Sequence, residues 1–337
     1  MILLWGSPLD QPLAAVREVL QRAEIPHFLL DPRRVLETEL ELTIDGTVPR
    51  GTLKVGEHRI ALEDVRAVYL RPPDPGQIPA VARAGRQSSS FQHAMSVHDT
   101  LRVFTELANA VVVNPLSRMA SNCSKPYQAQ LIEAAGFATP ETLLTTDSDS
   151  VRAFYGEHGQ VIYKSISSVR SVVGPLDSAT LARIERVQNC PTQFQQRIPG
   201  VDHRVHVIGD QVFAARIESD AVDYRYARRS GSSARITETA LAADCHARCR
   251  ALAEALGLPV AGIDLRQTPV GTWVCFEVNP SPAYTYYPQH EEMARALAAL
   301  LSNAARRDQT KPEIDNSALR AGRAGSRPAA NEQWRQP

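Results

Sequence analysis

Asp264 lies in the run VAGIDLRQT, and Glu277 and Asn279 lie in TWVCFEVNP; both runs are otherwise largely apolar. Residues two apart on a strand point to the same side of a sheet, so Glu277 and Asn279 share a face. If the two runs pair as a hairpin through TPVG, Asp264 joins them. Two carboxylates and an amide oxygen make a hard-oxygen ligand set, which suits Mg2+ carrying substrate phosphates as further ligands. The competing reading is an exposed sheet face with ordinary polar alternation. Val274, Phe276 and Val278 interleave with the polar residues and argue against it, because unpaired buried carboxylates are costly.

Cationic groups follow the same logic. Lys164 ends the run QVIYK just before SISSVRS, where an ammonium can grip phosphates while backbone N–H groups of a small-residue loop wrap them. Lys125 opens a helical pattern, where its charge adds to the positive helix end. Taken alone, Lys125 reads as a solvated surface charge. In FQQRIPGVDHRVHVIG, Asp202 and Arg204 alternate outward from an apolar strand. A carboxylate there can hold a ribose hydroxyl and a guanidinium can stabilise a transferring phosphoryl group, with a cross-strand salt bridge as the alternative. SDAVDYRYARRSG carries Arg225, Arg228 and Arg229 and reads as an anion-binding loop or a solvated charge run. Neither G-x-x-x-x-G-K-[ST] nor G-x-S-x-G occurs, so a P-loop and a nucleophile elbow are both unsupported.

The elements that must position these groups alternate between strand and helix. MILLWG, DQPLAAVREVLQRAEI and HFLL form a β-α-β pattern that implies a parallel sheet. LELTIDGTVPRGTLKVGEHRIALEDV reads as a meander with an Asp-Gly turn, and VRAVYLRPPDP as a strand ending at Arg71. A helix over Ser90–Leu107 leads to the strand AVVVNP, where the first lobe ends. The remainder reads as a second α/β unit. Its expected helices are SKPYQAQLIEAAGF, DSDSVRAFYGEHG, LDSATLARIERVQ and about Glu238–Leu256. Its strands are ETLLTT, QVIYKSI, TQFQQRI, a hairpin turning at Gly209-Asp210, and the two C-terminal runs. From Asn303 to Pro337 the chain is polar and aperiodic and reads as a disordered tail.

Composition bounds the partners. Lys+Arg and Asp+Glu are 37 each, so no global field favours nucleic acid or an anionic membrane, and an anionic ligand must be held locally. No apolar run reaches the roughly 20 residues of a membrane span, and the start lacks the basic region of a signal peptide, so a cytoplasmic protein is expected. The five cysteines are too scattered for a disulfide framework. Cys245 and Cys249 share a helix face beside His246, but no second ligand pair stands at zinc-finger spacing, so buried thiols are expected.

Together these motifs resemble the ATP-grasp superfamily, specifically its RimK-type ligases, over about Asn114 to Leu300. GIDLR and FEVNPSP look like the family's magnesium signature. The resemblance assigns Asp264, Glu277 and Asn279 to two Mg2+ ions bridging ATP phosphates. It gives phosphate contacts to Lys125, Lys164 and the loop with Ser165 and Ser168, to which Arg170 can add. It gives the adenine backbone contact to Gln195, Gln196, Arg197 and Ile198, the ribose to Asp202, and the reacting phosphate to Arg204. Gln196 stands where members often carry Glu, and SISSVRS replaces a Gly-rich loop. Asp223, Tyr224 and Arg225 in DYR, with VYLRPPDP, are similar to graspetide-forming ligases, which join Asp or Glu side chains to Lys, Ser or Thr in a precursor peptide. That makes Arg225 a second catalytic candidate beside Arg204.

The implied architecture is an α/β ATP-grasp fold, two α+β lobes clasping nucleotide. An N-terminal α/β domain over 1–113 precedes the ATP-grasp domain over 114–302, which has a central part over about 138–198 and a C-terminal part over 199–302. The implied activity forms amide or ester bonds by way of an acyl phosphate, with ATP and a carboxylate-bearing peptide, protein or small molecule as partners. Amino-acid ligation and a nucleotide-binding scaffold without ligase activity stay open at this point, as does homo-oligomerisation.

Overall fold

The computed structural model describes residues 1–46, 48–120, 124–166, 173–219 and 233–307. In chain order the first lobe holds β1 (Ile2–Gly6), α1 (Gln11–Arg22), β2 (His27–Leu30), β3 (Thr38–Asp45), β4 (Val48–Val55), β5 (His58–Ala61), β6 (Ala67–Arg71), α2 (Pro79–Ala84), α3 (Ser89–Leu107) and β7 (Val111–Val113). There follow α4 (Leu116–Met119), α5 (Lys125–Ala134), β8 (Thr142–Thr145), α6 (Ser148–His158), β9 (Val161–Ser165), β10 (Gly174–Pro175), α7 (Ser178–Leu181) and β11 (Thr192–Gln196). The chain then forms β12 (Val201–Ile208), β13 (Gln211–Ser219), β14 (Ala234–Thr239), α8 (Ala243–Ala255), β15 (Val260–Gln267), β16 (Trp273–Asn279) and α9 (His290–Arg307).

Strands β2-β1-β6-β7 form a parallel sheet. The β1 run ILLWG is buried along its whole length, as expected of a parallel strand covered on both faces. One face packs against α3 and the antiparallel β3-β4-β5 meander. The expected Asp-Gly turn is present at Asp45-Gly46, with Gly46 at φ 68°, a backbone conformation that glycine adopts freely. The other face packs through Leu4, Leu13, Val16 and Leu20 onto Leu297 and Leu301 of α9, so the first lobe and the C-terminal sheet share one core.

The second unit has two antiparallel sheets, β10-β9-β11-β8 and β14-β13-β12-β15-β16. The smaller closes over Val151 of α6 and Phe194 of β11. The larger packs on α5 and α8, where Cys245 and Cys249 are fully buried among Leu252, Ile263 and Val278.

Three expectations need correction. The segment read as a helix from Glu238 starts instead as β14; β-branched Ile236, Thr237 and Thr239 favour extended chain, and helix begins only at Ala243. LDSATLARIERVQ does not form one helix. It breaks at Arg183 into α7 and a 3-10 turn over Ile184–Asn189, which buries Ile184 and Val187 three apart. The tail does not start at Asn303. Helix α9 continues through Arg307, because Ala304 and Ala305 pack on the shared core and alanine favours helix. Residues 308–337 lie outside the described residues.

Two buried amide side chains hold β15 and β16. Asn114, just after β7, donates to Val260 O at 2.6 Å, accepts from Val260 N at 3.0 Å and also donates to Pro280 O. Gln128 of α5 donates to Val278 O at 2.8 Å and accepts from Val278 N at 2.9 Å, serving as one more strand rung on the free edge of β16. Replacing Gln128 by the similarly shaped Met strands both backbone groups of Val278, at about 1–3 kcal/mol each. Gln128→Met should therefore lower the urea midpoint by an amount equivalent to at least about 2 kcal/mol. An unchanged midpoint would show that the amide rung carries no weight.

Candidate active site

Strands β15 and β16 pair with Asp264 directly opposite Glu277 and Gly262 opposite Asn279. Arg204, on β12, is the partner of Asp264 on the other side. The expected hairpin is thus formed, and it sets the two carboxylates side by side at the wall of a cleft of about 670 Å³. Lys164, Gln195, Gln196, Arg197, Ile198 and Asp202 line the same cleft, between the four- and five-stranded sheets. A smaller cavity of about 300 Å³ lies alongside, lined by Lys125, Glu141 and Cys275, and Lys164 borders both.

Arg204 is almost fully buried and donates from Nη1 to Asp264 Oδ1 at 2.7 Å. Its Nε–H points at His206 Nε2, 3.4 Å away. Burial, reinforced by the charge of Arg204, pushes the His206 imidazole well below its ordinary range, so the ring stays neutral and can accept that proton. The guanidinium lies across β15 at Gly262. A Cβ there would stand 2.1 Å from Arg204 Nη2 and 2.7 Å from Pro282 Cβ. Gly262 is therefore a functional position that sequence reasoning missed, since a glycine between apolar residues carries no charge or spacing signal.

Arg266 was also missed. It takes both oxygens of Asp202, at 2.7 and 2.9 Å, and donates to Ile198 O at 2.7 Å, with its guanidinium 5.2 Å above the Phe276 ring. The signal was its position two residues after Asp264, on the same strand face. Asp202 thus lines the cleft already engaged in a bidentate pair, which is the cross-strand alternative weighed for it. Two N–H groups expected to face adenine are committed within the protein: Gln196 N donates to Glu141 O and Arg197 N to Gln160 O, both at 2.9 Å. Lys164 is 9% exposed and donates to Gln195 Oε1 at 3.3 Å, while Gln195 Nε2 donates to Thr142 Oγ1 at 3.0 Å. This chain of contacts holds the ammonium at the cleft wall.

The remaining assignments divide. Lys125 sits at the start of α5 and borders the smaller cavity, not the larger. Ser165 is exposed at the end of β9 beside Lys164. Asn279 lines neither cavity, and its Oδ1 accepts from Ser281 N at 2.9 Å. Ser168, Arg170, Asp223, Tyr224 and Arg225 lie outside the described residues.

The donor set fits a hard divalent cation. Among the described residues no hydrogen bond or ion pair engages the Glu277 carboxylate, and Asp264 shares only one oxygen with Arg204. Oxygen donors remain free at the cleft wall beside the cationic Lys164, whereas Arg204 lines neither cavity and meets the site through Asp264.

No family model matches the sequence, and neither does any curated protein. Solved structures do match. The macrocyclase MdnC of Microcystis aeruginosa MRC, bound with precursor peptide MdnA, superposes with a TM-score of 0.74 at 22% identity, covering 90% of this chain and 99% of that one. A RiPP-associated ATP-grasp ligase of Chryseobacterium gregarium, in complex with ADP and a leader and core peptide, gives 0.75 at 20% identity over 90% and 96%. The ATP-grasp ligase PsnB, complexed with a variant of its minimal precursor, Mg and ADP, gives 0.72 at 26% identity over 89% and 98%. The chain has the ATP-grasp fold. The four-stranded sheet β10-β9-β11-β8 and the five-stranded sheet carrying Asp264 and Glu277 both contribute residues to the cleft wall.

Gly262→Ala should push the Arg204 guanidinium off Asp264. Breaking a buried pair costs about 3–5 kcal/mol, so the variant should unfold at markedly lower urea concentration. In an Arg204→Met background most of that penalty should vanish, because the added methyl then meets a shorter, flexible side chain. An additive double mutant would show that the Gly262 constraint comes from Pro282 and not from the arginine.

Proposed function

We propose that this chain is an ATP-dependent ligase that activates a carboxylate as an acyl phosphate and joins it to an amine or hydroxyl on a peptide substrate. The observation that carries this reading is the placement of Asp264 opposite Glu277 at the wall of a cleft that Lys164 also lines. The three similar structures bear on the substrate: one holds a precursor peptide, one a leader and core peptide with ADP, and the third a variant of a minimal precursor with Mg and ADP. The match spans nearly the whole of each of those chains, so the first lobe is included in the likeness.

ATP lies in the larger cleft, with its purine against the Gln195–Ile198 stretch and its phosphates toward Lys164. Asp264 and Glu277, with Asn279 at the strand end, would hold Mg2+, two ions in this reading, which would offset the charge of the phosphates. Lys164 supplies a point charge to the phosphates. Arg204, fixed between Asp264 and His206, presents a guanidinium edge to the transferring phosphoryl group. A substrate carboxylate oxygen attacks the γ-phosphorus, the bond to the β,γ-bridging oxygen breaks, and ADP leaves. The amine or hydroxyl then attacks the acyl carbon, phosphate leaves, and the nucleophile's proton passes to solvent or base. The acyl phosphate is prone to hydrolysis, so the cleft must exclude water while it exists. Supply of ATP suits a cytoplasmic setting, and among the described residues no helix is long and apolar enough to cross a membrane.

Calorimetric titration of ATP with and without Mg2+ tests the site. Wild type should bind ATP in a Mg2+-dependent manner. Glu277→Gln keeps the shape but removes a ligand charge, and should weaken Mg2+-dependent binding by at least about tenfold and abolish turnover. Lys164→Ala should weaken ATP binding with or without Mg2+. Full activity in Glu277→Gln would sink the metal assignment. ATP consumption that rises only when an acidic peptide is supplied separates ligation from simple nucleotide binding; ATP binding with no peptide-dependent ADP release would favour a scaffold.

A further inference from the structure

Glu141, Glu157 and His158 bring one ligand atom each to within 4.8 Å of one another, and none of the three lines the larger cleft with Asp264 and Glu277. Glu157 and His158 end α6, and Glu141 immediately precedes β8. The His158 side chain is only 8% exposed, and its Nε2 is buried without a hydrogen-bond partner. That nitrogen points into the cluster, 3.7 Å from Glu141 Oε2, beyond hydrogen-bonding distance. Phe154 packs edge-on against the imidazole at 4.3 Å between centroids and holds it there. An orphaned buried ring nitrogen is costly unless something binds it.

The charge around it is one-sided. Among the described residues neither carboxylate forms an ion pair with a lysine or arginine. The C-terminus of α6, capped at Gly159 with its N–H on Tyr155 O, adds the partial negative charge of a helix end. Two carboxylates and a helix C-terminus converging on one ring nitrogen make a potential that a cation relieves.

We propose that Glu141, Glu157 and His158 form a second divalent-cation site, of the imidazole–carboxylate class that suits Zn2+ in preference to Mg2+. Imidazole is a poor ligand for Mg2+ and a good one for zinc and its neighbours. A tetrahedral shell with bonds of about 2.1 Å sets ligand atoms about 3.4 Å apart, so the 3.7 Å pair needs little movement and the exposed glutamates can swing in. Water completes the shell. The ion staples the end of α6 to the start of β8. Glu141 O also accepts from Gln196 N at 2.9 Å, so the staple anchors the end of the cleft-lining strand β11. The site does not depend on the ligase reading.

Co2+ is the probe, titrated into the full chain without nucleotide and followed by visible absorption and thermal melting. Wild type should show d–d bands without a thiolate charge-transfer band and melt at higher temperature as Co2+ is added, because an ion bound only by the folded chain stabilises it. Glu277→Gln should keep this response, which sets it apart from the cleft. His158→Phe preserves the packing on Phe154 and should weaken binding by at least about tenfold, and Glu141→Gln should do likewise. Wild-type affinity weaker than about 1 mM, the loosest class of protein cation site, would overturn the proposal. So would a thiolate band, or an unchanged response in His158→Phe.

Discussion

Asp264 and Glu277 face each other across one rung of an antiparallel ladder, and like charges directly opposite repel. A sheet does not tolerate such a rung without reason, and much of the surrounding structure exists to hold it. Arg204, one strand over, takes one oxygen of Asp264 and neutralises half of the repulsion from within the sheet. The Glu277 carboxylate is left to the cleft. The rung thus lacks a positive partner on its open side, which faces the cleft that Lys164 also lines and is where the proposed ligase would hold its metal ion.

Holding that rung requires the register of β15 and β16 to be fixed from both sides. Asn114 bonds to Val260 at the first residue of β15 and to Pro280 just past β16, so both strands end against the first lobe. Gln128 pairs with Val278, one residue from Glu277, and stops the free edge of β16 from sliding. A slip of one residue would turn Glu277 into the core and Val278 into the cleft. Arg71 extends the linkage: it pairs with Asp10 at 2.6 Å and donates to Ser281 Oγ at 3.0 Å, fastening the loop after Asn279 to the start of α1. The first lobe therefore acts as the backstop of the site as well as a neighbour of it.

The rung itself was legible in the sequence, because charged residues in apolar strands stand out, although a bulge at Phe276 breaks the period of two beside it and brings Phe276 and Glu277 to the same cleft. Lys164 was legible for a similar reason, as a strand-end cation before a run of small residues. The partners that hold these groups were not. The pairing of Arg266 with Asp202 and of Arg204 with Asp264 depends on which strands become neighbours in a five-stranded sheet, and no local pattern encodes that order. Gly262 is silent in the sequence because what matters is the guanidinium lying over it. Where the reading of elements failed, alanine misled it: the Ala-rich stretch after Thr239 extended a helix backward over β14, and at Asn303 polar composition hid a helical face that still packs on the core.

Arg204 shows how the catalytic and structural demands meet in one side chain. A buried guanidinium needs its donors satisfied, and it finds Asp264 and His206. Under the proposed function Asp264 would also be a metal ligand, which would couple the two cationic sites electrostatically. A divalent ion drawing charge from Asp264 would take part of the arginine's counter-charge and make it a stronger partner for phosphate oxygens. The neutral imidazole of His206 cannot supply the missing negative charge; it fixes only the orientation of Nε–H. Nucleotide with its metal would then be favoured over metal alone, since the phosphates would restore what the ion removes. The cross-strand order β12-β15-β16 places arginine, aspartate and glutamate in one row, and in the proposed ligase that row would make ion and phosphate binding cooperative.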